Sequence, residues 1–145
     1  MKIRILWVGK TKERCLNEGI EHYRKLLGPA SRVSIVEIKE EKGKSREKQL
    51  SEEGRRILKQ TQSYILLDER GREFTSVEFA RFLEKKGNAD FVMGGPYGVS
   101  DEVREKASGA IALSRMTFTH EMARVLFLEQ LYRATTIMKG KEYHY

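Results

Sequence analysis

Two short runs in this chain, Tyr64-Ile65-Leu66-Leu67 and Phe91-Val92-Met93, are apolar at every position rather than at every second one. A strand with one wet face alternates apolar and polar residues, whereas a central strand covered on both faces by helices has no reason to. Charged or glycine-rich turn chemistry follows each run: Asp68-Glu69-Arg70-Gly71 ends the first, and Gly94-Gly95-Pro96-Tyr97-Gly98 ends the second. The runs therefore predict an α/β fold in which a mostly parallel sheet is flanked by helices.

The remaining segments fit that frame. Lys2 to Gly9 reads as a strand, and Lys12 to Leu27 as an amphipathic helix with Cys15, Leu16, Ile20, Tyr23, Leu26 and Leu27 at helical spacing. Gly28-Pro29 stops that helix. Val33 to Ile38 is the second strand, and the charge run Lys39-Glu40-Glu41-Lys42-Gly43-Lys44 is a solvated loop able to touch phosphates. Arg46 to Gln60 is the next helix. Thr75-Ser76-Val77-Glu78 is a capping box that opens a helix ending near Lys86. Ser100-Asp101-Glu102 places two acids at another helix start, and Ala110 to Leu113 is the last strand. From His120 to Met138 the chain predicts a long helix that is apolar on more than one face. Such a helix is sandwiched in the core or packed on another subunit. Five strands thus alternate with five helices in a single domain spanning 1–145, with no internal repeat and no linker.

Composition narrows the setting. Cys15 is the only cysteine, which excludes an intramolecular disulfide or a cysteine-rich zinc site and suits a reducing compartment, the cytoplasm by default. No apolar run approaches the length of a membrane span, and Arg4 interrupts the first one. Lys and Arg number 28 against 21 Asp and Glu, a formal charge of +7. That excess favours a polyanionic partner, with plain solubility as the alternative.

In an open parallel sheet, ligands sit beyond the carboxyl ends of the strands, which directs attention to the loops after Leu67, Met93 and Leu113. The glycine turn 94–98 lacks the Lys-Ser/Thr pair of a P-loop and the spacing of a dinucleotide fingerprint. Its glycines serve a tight turn or a close approach of backbone to a ligand, and Pro96 stiffens it. None of the three loops carries an obvious nucleophile, metal pair or Ser-His-Asp set. Backbone donors, acceptors and apolar walls are what they offer, and these suit a flat heterocycle.

Leu67-Asp68-Glu69-Arg70-Gly71, Phe91 to Gly98, Leu113-Ser114-Arg115-Met116-Thr117-Phe118 and Ala123 to Ala134 together resemble the ribosomal large-subunit pseudouridine methyltransferase H family of the SPOUT superfamily. The resemblance runs along almost the whole chain in order. It implies a SPOUT-type fold with a C-terminal trefoil knot, a homodimer, and no metal. The implied reaction is methyl transfer from S-adenosylmethionine to N3 of pseudouridine 1915, in helix 69 of 23S rRNA, in the assembled ribosome. By the same match, Leu67, Gly94, Leu113, Ser114, Arg115, Met116, Thr117 and Phe118 are expected to hold the cofactor.

The tail Lys139 to Tyr145 resembles the family's terminal Gly-His-Pro-Tyr-His, with Gly140, Tyr143 and His144 matching. Tyr143 and His144 are the expected substrate-site residues, without a choice between them as base. The sequence departs from the family at Lys141-Glu142, at Thr119 in place of a proline, and at the terminal Tyr145. Arg133, one turn after Glu129, is a salt-bridged surface residue or faces the dimer seam and the RNA. His120 is a packed helix-start residue or a ligand, and His22 has no assigned role. Two other readings stay open on the residues alone: a non-enzymatic RNA-binding module, and a nucleotide-binding enzyme of another class.

Overall fold

The computed structural model describes residues 1–145, with the Ala30 side chain left out of the description. Strands β1 (Ile3–Val8), β2 (Val33–Ile38), β3 (Ile65–Glu73), β4 (Ala89–Met93) and β5 (Gly109–Ala112) alternate with helices α1 (Arg14–Leu27), α2 (Arg46–Gln60), α3 (Ser76–Lys86), α4 (Asp101–Lys106) and α5 (His120–Met138). The sheet is parallel throughout, in the order β2-β1-β4-β3-β5.

That order explains the unbroken apolar runs. β4 is the central strand, and successive residues of β1, β3 and β4 feed opposite cores. Ile3, Ile5, Trp7, Ile65, Phe91 and Met93 meet side chains of α1, α3 and α5, while Leu6, Val8, Leu66 and Val92 meet Ile57 of α2 and Val103 of α4. Phe91 and Phe127 pack edge to face at 4.9 Å between ring centres, so the central strand is keyed to α5 by geometry as well as area.

Both readings of α5 required apolar contact on more than one side, and within one chain it lies against α1 and α3 together. Phe127, Leu128, Leu131 and Ala134 are fully buried there, and Arg124 with them. Thr119 caps the helix by accepting from the Met122 amide at 3.2 Å. The expected capping box at Thr75 and Glu78 is formed in both directions.

Several boundaries differ from the sequence reading: β1 is Ile3–Val8 rather than Lys2 to Gly9, β4 starts at Ala89 rather than Phe91, and β5 is Gly109–Ala112 rather than Ala110 to Leu113, while the shifts at α1 and β3 have identifiable causes. Helix α1 begins at Arg14 rather than Lys12, because the amides of Lys12 and Glu13 are both taken by the Glu121 carboxylate of α5, at 3.0 and 2.9 Å. That carboxylate caps α1 from another element, which no local pattern announces.

Strand β3 does not stop at Leu67 but resumes and runs to Glu73. Leu67 and Arg72 both align with Ile111 of β5, so residues 68–71 form an excursion between two stretches of pairing. Gly71 makes the return possible. A Cβ there would lie 2.6 Å from backbone atoms of Ala110 and Ile111, a distance side chains do not tolerate.

Candidate active site

A cavity of about 860 Å³ opens beyond the carboxyl ends of β3, β4 and β5. Its wall contains all three loops singled out in the sequence, with His120 and Ala123 of α5 closing one side. Leu67, Gly94, Leu113, Ser114, Met116, Thr117 and Phe118 line it. Arg115 does not. Its guanidinium donates to the Glu69 and Gly71 carbonyls at 2.7 and 2.6 Å and pairs with Glu73 at 2.6 Å, so it fastens the β3 excursion from behind the wall.

The opening is built locally from short bonds. Gly98 donates its amide to the Gly95 carbonyl at 3.0 Å, and a Cβ on Gly94 would lie 2.5 Å from the Gly98 carbonyl oxygen. The turn 94–98 is thus both a tight turn and a wall of bare backbone. Tyr97 at its tip is half exposed, with the Arg46 guanidinium 4.1 Å over its ring. Ser114 accepts from the Met116 amide at 2.9 Å, and Thr117 donates to the Glu69 carboxylate. Asp68 at the cavity edge is ion-paired with Arg104 and lies 3.5 Å from Arg70. Both acids therefore have partners, and the space between is walled by Leu66, Leu67, Met93, Val99, Met116 and Phe118.

Those walls fit S-adenosylmethionine in kind. The volume lies within the roughly 300–1,000 Å³ usual for small-molecule sites, and the lining combines apolar side chains with backbone polar groups.

Next to the cavity, burial pushes the His120 imidazole below the usual histidine range, aided by the Arg124 charge and opposed by Glu121. His120 is the first residue of α5 and half buried. Arg124 is the residue that sequence reasoning missed. It is wholly buried, donates to the Val8 carbonyl at 2.6 Å and to Thr11 Oγ1 at 2.8 Å, and lies 4.8 Å over the Trp7 ring. Its Nε has no hydrogen-bond partner among the described residues, and burial pulls the guanidinium down to about 10. An arginine in the apolar stretch 122–128 was the available signal.

The tail residues assemble into a second cluster. Glu129 accepts from Arg133 Nε at 3.1 Å and Nη2 at 2.5 Å, and from the Tyr143 hydroxyl at 3.1 Å. Arg133 Nη1 stands 3.1 Å from His144 Nδ1, and its guanidinium lies 4.8 Å over the Tyr143 ring. Tyr143 also packs edge to face on Tyr132 at 4.7 Å. Burial, reinforced by the Glu129 charge, pushes the Tyr143 phenol up to about 12, so it keeps its proton at neutral pH. Arg133 is salt-bridged, as one sequence reading had it.

Within one chain the two clusters are not neighbours. Ala123 lines the cavity and Arg133 holds the tail, ten residues apart on α5, a rise of about 15 Å. No group of three or more potential metal ligands from His, Cys, Asp and Glu occurs among the described residues, and no helix is long and apolar enough to cross a membrane.

A fully parallel sheet whose three carboxyl-end loops wall one cavity, lined by apolar, polar and charged residues, defines an α/β protein with a candidate small-molecule site at the position usual for open parallel sheets. A family model described as a predicted SPOUT methyltransferase matches residues 1–144. Proteins named ribosomal RNA large subunit methyltransferase H are similar over full length. The one from Thermodesulfovibrio yellowstonii is 47% identical over 145 residues, with 99% of each chain covered. Those from Geotalea daltonii and Cytophaga hutchinsonii are each 44% identical, with all of both chains covered. The chain belongs to the SPOUT methyltransferase family, and it is an enzyme that transfers methyl groups.

Proposed function

We propose that this chain transfers a methyl group from S-adenosylmethionine to N3 of pseudouridine 1915, in helix 69 of 23S rRNA, in the assembled ribosome. The observation that carries the reading is the cavity walled by all three strand-end loops. The names of the full-length relatives support a ribosomal RNA substrate, and the net charge of +7 suits one.

When bound, S-adenosylmethionine supplies a methyl group already activated by a sulfonium. Leu67, Gly94 and the run Leu113, Ser114, Met116, Thr117 and Phe118 would hold it, through apolar walls and backbone N–H and C=O groups. Arg115 serves the same site from behind by fixing the loop that carries Glu69 and Gly71. Tyr143 and His144 are the proposed substrate-side residues. Their work is to orient the acceptor nitrogen, exclude water and ease the loss of its proton.

The separation of about 15 Å along α5 between cavity and tail supports a site completed by a second copy of the chain in an isologous homodimer. Met116, Phe118 and Met122, exposed around the start of α5, suit the seam, and Arg133 stands at its edge in this reading. The Lys39 to Lys48 segment, a loop leading into the first turn of α2, with the Arg46 guanidinium over the Tyr97 ring, extends a basic, partly aromatic surface to the cavity rim, suited to phosphates and unstacked bases. The proposed setting is the cytoplasm, as one domain over 1–145. A C-terminal trefoil knot is part of the proposed fold, and membership of the SPOUT family is what supports it.

The test is transfer of labelled methyl to ribosomes that carry the pseudouridine but lack its methyl mark, followed by mapping of the modified nucleotide. Label at N3 of that nucleotide is expected. Label elsewhere, or ribosome binding without transfer, would overturn the substrate assignment.

A further inference from the structure

The tail forms a directional chain of hydrogen bonds, and direction constrains chemistry. One Glu129 oxygen receives two Arg133 N–H groups and the Tyr143 hydroxyl, while the other receives the Gln130 amide at 3.0 Å. Arg133 then turns Nη1 toward His144 Nδ1 at 3.1 Å. A guanidinium has only donors, so Nδ1 must be the acceptor in this contact. An accepting Nδ1 carries no proton, and the ring proton is then on Nε2.

The consequence reverses the expectation for a histidine beside an acidic N–H. A ring that is to accept a proton through an outward-facing Nε2 must carry its own proton on Nδ1, and Arg133 occupies that side with a donor. Tyr143 is no substitute, because its hydroxyl is committed to Glu129 and holds its proton. We infer that His144 meets the target base as a neutral Nε2–H hydrogen-bond donor rather than as a general base, with Arg133 as the positioning residue that fixes its tautomer and Glu129 as the residue that fixes Arg133. The inference rests on the reading that the tail closes over the substrate of this methyl transfer.

The electron count agrees with a donor. The acceptor imide N–H lies between two carbonyls, and its proton leaves to solvent. The pair left on nitrogen spreads onto both carbonyl oxygens, where an Nε2–H stabilises it. That pair forms the new N–C bond as the C–S bond breaks, and sulfur keeps the electrons of the broken bond. His144 ends the turnover with the proton it began with. Its exposed position leaves Nε2 open to a substrate.

Two measurements on the full-length protein test this. In the first, the ¹⁵N spectrum of the histidine rings should show His144 protonated at Nε2 and bare at Nδ1, and Arg133→Met should convert that single form into an exchanging mixture. A ring protonated at Nδ1, or a spectrum unmoved by Arg133→Met, overturns the inference. This readout needs no turnover, so it stands even if the proposed substrate is wrong.

In the second, His144→Gln places an amide N–H near the Nε2–H position and His144→Ala removes it. On ribosomes, Ala should lose about 10²–10³-fold in kcat, the loss typical for an anion-stabilising donor, while Gln keeps most of the rate. Equal losses in Gln and Ala would restore the base, and full activity in both would remove His144 from the chemistry. Transfer to a different nucleotide, with the Gln and Ala pattern intact, would change the substrate and keep the role.

Discussion

Gly71 is the residue on which the cavity rim turns. Its missing side chain lets β3 lie directly on the β5 backbone after the excursion of residues 68–71, and Arg115 ties that excursion down. Gly71→Ala should destabilise the protein by about 1–3 kcal/mol, as overpacking of a close contact does, and should weaken cofactor binding along with it. Thermal melting and calorimetric titration would check both. An alanine variant with unchanged melting and binding would mean that the strand can shift without cost. Gly71 was visible in the sequence only as part of a charged turn. Glycine at a backbone-on-backbone contact and glycine in a surface turn look alike until the partner strand is known. Arg115 has the same history: its motif placed it in the right segment, but only geometry turns its guanidinium to the carbonyls behind the wall. The glycines of 94–98 were more legible, since strand, turn and helix start follow one another within a dozen residues.

At the scale of elements, α5 does more than fill the core. Glu121 caps α1 and Arg124 holds the end of β1, so one turn of helix fastens two elements that precede it by more than a hundred residues. Burial pushes the Glu121 carboxyl up, but the amides of Glu13 and Lys12, with the nearby His120 and Arg124, outweigh it and hold the group below the ordinary carboxylate value of 4.5. A carboxyl lowered by folding contributes fully above its unfolded value and loses that contribution as pH falls through the folded one. Glu121→Gln should therefore cost about 1–3 kcal/mol near neutral pH and flatten the stability curve below pH 4.5. Denaturant melts across that range decide it; a parallel loss in both proteins would place the acid sensitivity elsewhere. The helix boundaries of α2 and α5 and the extent of β2 were legible from periodicity and caps, because those signals are local. The start of α1 was not, since its cap comes from a residue more than a hundred positions away.

For the whole molecule, the proposed dimer and RNA surface make separable predictions. Sedimentation at micromolar concentration should give twice the mass of one chain, and a monomer would leave cavity and tail apart on α5. Replacing Lys39, Lys42, Lys44 and Lys48 with alanine should weaken ribosome binding and lower its salt slope by up to about one unit per lost phosphate contact. Cofactor affinity should stay unchanged, because none of these lysines lines the cavity. An unaltered slope would remove the loop from the RNA surface. The parallel α/β architecture and the site loops were readable because a buried strand and its carboxyl-end turn are written side by side. The distance between cavity and tail was not, because a helix spanning both looks like one continuous segment.

The wall order has a consequence for the timing of biosynthesis. The loops near 67 and 94 are made before Arg115, which ties down the β3 excursion, and before β5 and α5. A growing chain that has produced the first four strands still lacks the part of the cavity lining that runs from Leu113 to Ala123. The cavity lining is therefore complete only when the last quarter of the chain has been made, near the end of synthesis.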